Sequence, residues 1–360
     1  MSWNIDPTTT SPVPRTVLIH EFVTGGGMAG ETLPQSWASE GAAMRRALAS
    51  EFAAAATPTR VLVTIDPRLP RDDKPWESVE VDSLERLEAL AVRADYTLLI
   101  APETGGVLES LTRRLGRTGC PLLGSEPEAV ALTGDKAALG EWLDRQVVPT
   151  PRSAILEVGW AVPDGWPFPS VVKPIDGAGS LETYRVDRPD ESAELAGAGG
   201  PRLLQEFVPG VAMSATFLVR GGRARLIAVG EQRIALRDGR FSYEGGTLPR
   251  RYPEAVPIAK AAVESIAGLR GLVGVDFILD VEHGRVVVLE INPRPTTSCV
   301  GLGRVLSPGL IAEAWLAPEP EEWDRLMDRI EVEIDAAAAV GFDASGRTWA
   351  VGESVEAVRS

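Results

Sequence analysis

Apolar positions along this chain alternate between short dense runs and longer stretches with helical spacing. In the first third, 17–20, 60–65, 96–101 and 121–124 are short runs rich in Val, Ile and Leu, whereas 39–56 and 108–116 carry apolar residues at helical intervals. Short β-branched runs predict strands, and a 3.6-residue period predicts helices. Their alternation predicts an open parallel α/β sheet. Ligands in such sheets bind beyond the carboxyl ends of the strands, where the loops 20–27 and 102–106 fall.

Further along, 126–143 reads as one helix carrying Lys136. Pro149-Thr150-Pro151 then breaks the chain, because proline offers no amide proton and restricts the residue before it. Runs at 170–174 and 202–207 predict the strands of a small α/β lid. Runs at 214–220 and 224–230 are two more strands, and 258–269 is helical. Two apolar runs, 273–279 and 286–291, flank Glu282-His283-Gly284 and predict a hairpin. From 318 onward an acidic helix is followed by an expected late hairpin of 330–337 with 347–350. The expected units are a disordered tail at 1–15, an N-terminal α/β substrate-binding domain at 16–124, a linker helix and lid at 125–208, a catalytic domain at 209–317 and a C-terminal helix and hairpin at 318–360.

Composition narrows the function. With 360 residues, 44% of them hydrophobic, the chain can bury a large core. Its net charge of −15 argues against a nucleic-acid or anionic-membrane surface, which basic patches would serve. No stretch reaches the length of a membrane span, and 1–15 has no apolar signal core. Two cysteines, Cys120 and Cys299, cannot build a disulfide framework. A cytoplasmic location follows as the expectation.

The hairpin carries the chemistry. Glu290 and Asn292 are two apart and share a strand face, and Asp276 on the other strand can lie opposite them. Three hard oxygen donors suit Mg²⁺, which takes one or two carboxylates and completes its shell with water and phosphate oxygens. Arg294 adds a fixed cation beside that point. Lys173 interrupts an apolar strand and precedes a glycine-rich stretch, Gly177-Ala178-Gly179-Ser180, whose backbone amides can approach phosphate closely.

In order along the chain, Gly134-Asp135-Lys136, Val171-Val172-Lys173-Pro174 with its glycine loop, Gln205-Glu206-Phe207-Val208-Pro209-Gly210, and Asp276 with Glu290-Ile291-Asn292-Pro293-Arg294 resemble the motifs of the ATP-grasp superfamily. The resemblance spans about 16–308. It implies an N-terminal pre-ATP-grasp domain, a mobile lid and a mixed α+β catalytic domain. It implies Lys136 and Lys173 on the ATP phosphates with Gly177, Gly179 and Ser180, and adenine held by Gln205, Glu206, Phe207 and Val208. It implies Asp276, Glu290 and Asn292 on one Mg²⁺ or two, with Mn²⁺ able to substitute, and Arg294 with Lys173 as catalytic groups. The acid that usually holds the ribose is replaced by Ala212.

The implied reaction forms an acyl phosphate from a carboxylate and ATP, then an amide with an amine. Glu21-Phe22-Val23-Thr24-Gly25-Gly26-Gly27, Ala101-Pro102-Glu103-Thr104 and Gly245-Gly246 are similar to a subgroup that joins L-glutamate to tyramine- or tyrosine-like amines in methanofuran-type cofactor biosynthesis. That similarity implies Glu21, Thr24, Gly25, Gly26, Glu103, Thr104 and Arg233 as substrate contacts. The implied partners are a small acid and an amine, and such folds often dimerise, so a homodimer is one option. Another amino-acid or peptide substrate, and nucleotide binding without catalysis, stay open as alternatives.

Overall fold

The computed structural model describes residues 14–72, 75–157, 162–177, 182–196 and 201–351. Strands β1 (Arg15–Glu21), β2 (Thr59–Ile65), β3 (Glu77–Glu80) and β4 (Tyr96–Ile100) form a parallel sheet in the order β3-β2-β1-β4. Helix α1 (Gln35–Ala53) joins β1 to β2, and α2 (Leu84–Ala91) joins β3 to β4. Alternation along β1 sends Val17 and Ile19 to one face, in a core with Met44, Leu48 and Phe52 of α1. Leu18 goes to the other face, among Leu87 of α2 and Leu111 of α3 (Val107–Gly116). The loops after β1 and β4 leave neighbouring strand ends, as the parallel pairing requires.

The chain then runs through α4 (Pro127–Gly134), α5 (Lys136–Arg145), β5 (Ser153–Leu156), β6 (Ser170–Pro174), β7 (Tyr184–Val186), α6 (Pro189–Ala196), β8 (Arg202–Glu206), β9 (Val211–Arg220), β10 (Arg223–Arg237) and β11 (Arg240–Arg250). After α7 (Ala255–Glu264) come the hairpin β12 (Gly271–Asp280) and β13 (Arg285–Asn292), helices α8 (Ser298–Val305), α9 (Leu310–Leu316) and α10 (Pro320–Ala336), and a short pair, β14 (Val340–Phe342) and β15 (Thr348–Ala350). The second sheet runs β13-β12-β9-β10-β11-β7-β6-β8-β5, with β14 on β11. One core joins both sheets: Ile19, Val63 and Leu98 from the first and Leu218, Ile227 and Leu272 from the second pack with α1, α8, α9 and α10.

Several expectations change. The helix expected over 126–143 is two helices, because Asp135 leaves helical geometry (φ −97°, ψ 103°) and its carboxylate caps α5, accepting from Ala137 and Ala138 amides. Residues 330–337 fall within or just after α10, whose buried side is Trp323, Leu326, Met327 and Ile330. The late hairpin instead starts at Val340. The run 121–124 contributes only a single bridge, Thr97 to Leu122. Arg15 opens β1 instead of ending a tail, and residues 1–13 lie outside the described residues. β3 and β11 were not expected, since ESVE lacks an apolar run and β11 is interrupted by Gly245-Gly246 and Pro249. Among the described residues, no single helix is long and apolar enough to cross a membrane.

Candidate active site

β12 and β13 pair antiparallel with Asp276 directly opposite Glu290 and Gly274 opposite Asn292. A bulge follows Asp276, so that Phe277 pairs with Val288 and Leu289 is extra. A bulge bends its strand and re-aims side chains. Leu289 and Glu290 both line the same cavity, of about 400 Å³, as do Asp276 and Asn292. Gly274 makes room for this corner, since a Cβ there would meet Thr296 Cγ2 at 2.7 Å.

The two half-buried carboxylates face each other. Burial and then the Glu290 charge raise the Asp276 carboxyl well above the usual range. Burial also pushes Glu290 upward, but the charges of Lys136 and Lys173 outweigh it and hold Glu290 below its ordinary value. Asn292 Nδ2 and Gln232 Nε2 donate to Asp276 at 3.1 and 3.0 Å. Two facing carboxylates with an amide alongside are a hard-oxygen set that fits a divalent cation, whose charge would remove the repulsion between them. Among the described residues no cluster of three or more His, Cys, Asp or Glu side chains could hold a metal. The rest of an octahedral shell would therefore come from water and phosphate.

Two lysines face this point. Lys136 opens α5, donates through Nζ to the Gly177 carbonyl and stands 3.5 Å from Glu290 Oε2. Lys173 is buried in β6, and burial lowers its pKa to about 8, so it still carries charge at neutral pH. Gly177 lines the cavity, and Gly179 and Ser180 lie outside the described residues. The preceding Asp176 accepts the Gly105 amide at 2.8 Å, joining the lid loop to the loop after β4.

The β8–β9 connection also lines the cavity. Gln205, Glu206, Phe207 and Val208 line it, with Ala212 and Ile278 across the sheet. The Phe207 and Phe241 rings stack with centroids 6.5 Å apart, and Arg185 lies over Phe207 at 4.9 Å. Gln205 donates to Ser153 at 3.0 Å, which fixes its orientation. Gly210 has φ +152°, and a Cβ there would come within 2.4 Å of the Leu279 carbonyl.

Near the carboxylates, the third wall brings in residues the sequence did not mark. Glu40 of α1 accepts a hydrogen bond from Thr297 Oγ1. Tyr243 lines the same cavity, and its phenol is pushed upward by burial and then by the Glu40 charge. Glu40 lies in an alanine-rich helical stretch and carries no local signal. Gln232 was detectable by alternation: it and Ile234 face the cavity, whereas Arg233 points away.

Arg233 was expected on a substrate carboxylate, but the carbonyls of Gly246, Glu244 and Phe342 occupy its guanidinium, which lies 4.7 Å over Trp349. It ties β14 to β11 instead. Glu21, Thr24, Gly25 and Gly26 also do not line the cavity. Glu21 is buried and accepts from Val23 N, Thr24 N and Thr24 Oγ1 at 3.1, 2.7 and 2.6 Å. Arg45 donates to Thr24 Oγ1 at 2.9 Å and pairs with Asp72 at 2.6 Å. Gly26, at φ +96°, approaches Val81 so closely that a Cβ would sit 1.8 Å from its carbonyl oxygen. These residues close a turn by bonding one another. Thr104 begins a single 3-10 turn away from the cavity. Glu103 acts at one remove: its Oε2 accepts from Arg294 Nη2 at 2.9 Å, while Arg294 itself lines the cavity.

The family model for the ATP-grasp domain matches residues 133–298, and that for the pre ATP-grasp 3 domain matches 59–130. The tyramine–L-glutamate ligase of Methanocaldococcus fervens is 31% identical over 231 residues, covering 64% of this chain and 67% of that one. The chain belongs to the ATP-grasp superfamily. Among solved structures, an ATP-grasp superfamily protein from Archaeoglobus fulgidus aligns with a TM-score of 0.67 at 25% identity, covering 91% of this chain and 92% of that one. The L-amino acid ligase of Bacillus licheniformis aligns at 0.63 and 14% identity, covering 91% and 79%, and at that distance it shows the fold alone. An ATP-grasp chain of this kind is an ADP-forming ligase, and in this chain the hairpin, the two lysines and the β8–β9 connection line one cavity.

Proposed function

We propose that this ATP-grasp chain joins L-glutamate to a primary amine of the tyramine or tyrosine type, in the biosynthesis of a methanofuran-type one-carbon cofactor. The observation that carries the ligase reading is one cavity lined by the β8–β9 connection, Lys136, Lys173, Asp276, Glu290 and Arg294. The named relative supports the choice of glutamate and tyramine.

The groups that line the cavity suit the chemistry. The adenine lies against Phe207 and Val208, and the phosphates lie under Lys136 and Lys173. Mg²⁺ held by Asp276, Glu290 and Asn292 neutralises phosphate charge when bound. A substrate carboxylate oxygen attacks the γ-phosphorus, and the bond to the β,γ-bridging oxygen breaks, releasing ADP. Arg294, already oriented by Glu103, offsets charge on the transferred phosphoryl group. The amine nitrogen then attacks the acyl carbon, phosphate leaves, and the nitrogen loses its proton. Contact between Asp176 and Gly105 helps keep water from the acyl phosphate.

No side chain is needed as a covalent nucleophile. Cys299 is buried and its thiol is pushed up to about 12, mainly by burial. The rival reading, nucleotide binding without turnover, draws on Ala212, which leaves the ribose without the usual acid. The test is ADP release with Mg-ATP, L-glutamate and separately tyramine, tyrosine or a furan amine, with mass spectrometry of each mixture. A product heavier by one glutamyl unit supports the proposal. ATP binding without ADP release for any pair favours the rival.

A further inference from the structure

The cavity is also lined by an anion that the mechanism does not use. Glu40 projects from α1 of the N-terminal domain, half-buried, beside Thr296, Thr297, Ser298, Tyr243 and Arg294. The other charges nearby are spoken for: Arg294 pairs with Glu103 at 2.9 Å, and Lys136 faces Glu290 at 3.5 Å. Glu40 forms no ion pair with any described residue. Its one hydrogen bond comes from Thr297, 257 residues away, and this fixes the carboxylate against the wall formed by the start of α8. Its charge reaches its neighbours, since it raises both the Tyr243 phenol and the Cys299 thiol, in each case second only to burial.

A carboxylate partly withdrawn from water is costly unless a cation or hydrogen bonds compensate it. Every amine this ligase would take arrives as an ammonium at neutral pH. An ammonium offers three donors and a compact charge. The site supplies a carboxylate held in one orientation, a hydroxyl and an aromatic wall.

We infer that Glu40 is the anchor for the primary ammonium group of a substrate at the acyl end of the cavity, positioned by Thr297 and walled by Tyr243. This deepens the ligase reading and rests on it. The ammonium belongs either to the acceptor amine or to the α-carbon of the amino acid, and the experiment separates the two. Glu40 is a binding and positioning residue, and the nucleophile sheds its proton after it is placed.

The experiment compares wild type with Glu40→Gln, which keeps an acceptor for Thr297 and removes only the charge. KM is measured for the amine and for L-glutamate at saturating Mg-ATP. Hydroxylamine, uncharged at neutral pH, serves as a second nucleophile. Loss of a charge-assisted contact is expected to raise one KM by roughly 10–100-fold. If the amine KM rises while hydroxylamine-dependent ADP release is unchanged, Glu40 holds the acceptor. If the glutamate KM rises and the hydroxylamine reaction weakens with it, Glu40 holds the amino acid. Glu40→Asp, which retains the charge but withdraws it by one methylene, is expected between the two. Both KM values within twofold of wild type, in a variant with unaltered thermal unfolding, overturn the inference. Absence of amide product with wild type counts against the proposed function instead, and calorimetric binding of the amine and of L-glutamate to wild type and Glu40→Gln then decides the role of Glu40.

Discussion

The pair between Glu103 and Arg294 ties the loop after β4 to the segment after β13, and its removal has a calculable cost. Both side chains are buried, with exposures of 7% and 14%. Arg294 makes one bond to Glu103 at 2.9 Å and one to the Pro295 carbonyl at 3.2 Å, while its Nε and Glu103 Oε1 have no partner among the described residues. Glu103→Gln keeps an acceptor of nearly the same shape and leaves the guanidinium charge without its counter-ion. Removing one partner of a buried pair costs about 3–5 kcal/mol, and a hydrogen bond to a charged group contributes about 1.5–3 kcal/mol. The expected loss is therefore about 2–3 kcal/mol for Glu103→Gln and about 3–5 kcal/mol for Glu103→Ala. Urea unfolding of both variants, of Arg294→Gln and of the double variant gives the coupling directly, expected at about 2 kcal/mol. ADP release should fall in Glu103→Gln even under conditions where it is fully folded, because Arg294 loses its orientation. A Glu103→Gln protein within about 0.5 kcal/mol of wild type, with additive single changes, would refute the reasoning.

Three further outcomes are expected. Glu290→Gln should abolish ADP formation and leave the thermal midpoint near that of wild type, since the residue lies half-buried beside the cavity; retained turnover would sink its assignment as a metal ligand. Asp135→Ala removes the cap on α5 and should cost about 1 kcal/mol and raise the KM for ATP, because Lys136 is the first residue of that helix; an unchanged KM would separate the cap from the phosphate site. His20, fully buried with Nδ1 2.9 Å from Thr64, has its pKa lowered to about 4 by burial. The unfolded chain, with an ordinary value near 6.5, binds the proton first. Its contribution is thus intact above about pH 6.5 and is lost progressively as pH falls toward 4, about 3 kcal/mol in all. His20→Gln should flatten the wild-type slope of unfolding free energy between those values, and equal slopes would contradict it.

The parts that local pattern governs were legible in the chain. The hairpin expected from two apolar runs does bring Asp276 opposite Glu290, and a new strand, β5, follows the break at Pro149-Thr150-Pro151. The errors were also local. One residue of register separated Arg233, spent on backbone carbonyls, from Gln232, which meets Asp276 at 3.0 Å. A capping aspartate turned one periodic stretch into two helices, because periodicity reports which positions are apolar and does not report where a side chain competes for backbone amides. Residues 330–337 read as a strand, yet the apolar side of α10 packs against the core between the sheets, and burial of a helical stripe overrides β-propensity.

By itself the sequence determined the parallel sheet, the β12–β13 hairpin with its facing acids and the strand that carries Lys173, since each depends on neighbours within one strand, one turn or one loop. The tertiary structure alone decided what faces them. Glu40 meets Thr297 across 257 residues and Glu103 meets Arg294 across 191. The same packing turned the glycines after β1 into a closed turn, away from the cavity. Such juxtapositions follow from how α1 and the loop after β4 pack against the catalytic sheet. That packing is set by a shared apolar core, which fixes distances between distant segments without leaving a signature in either one.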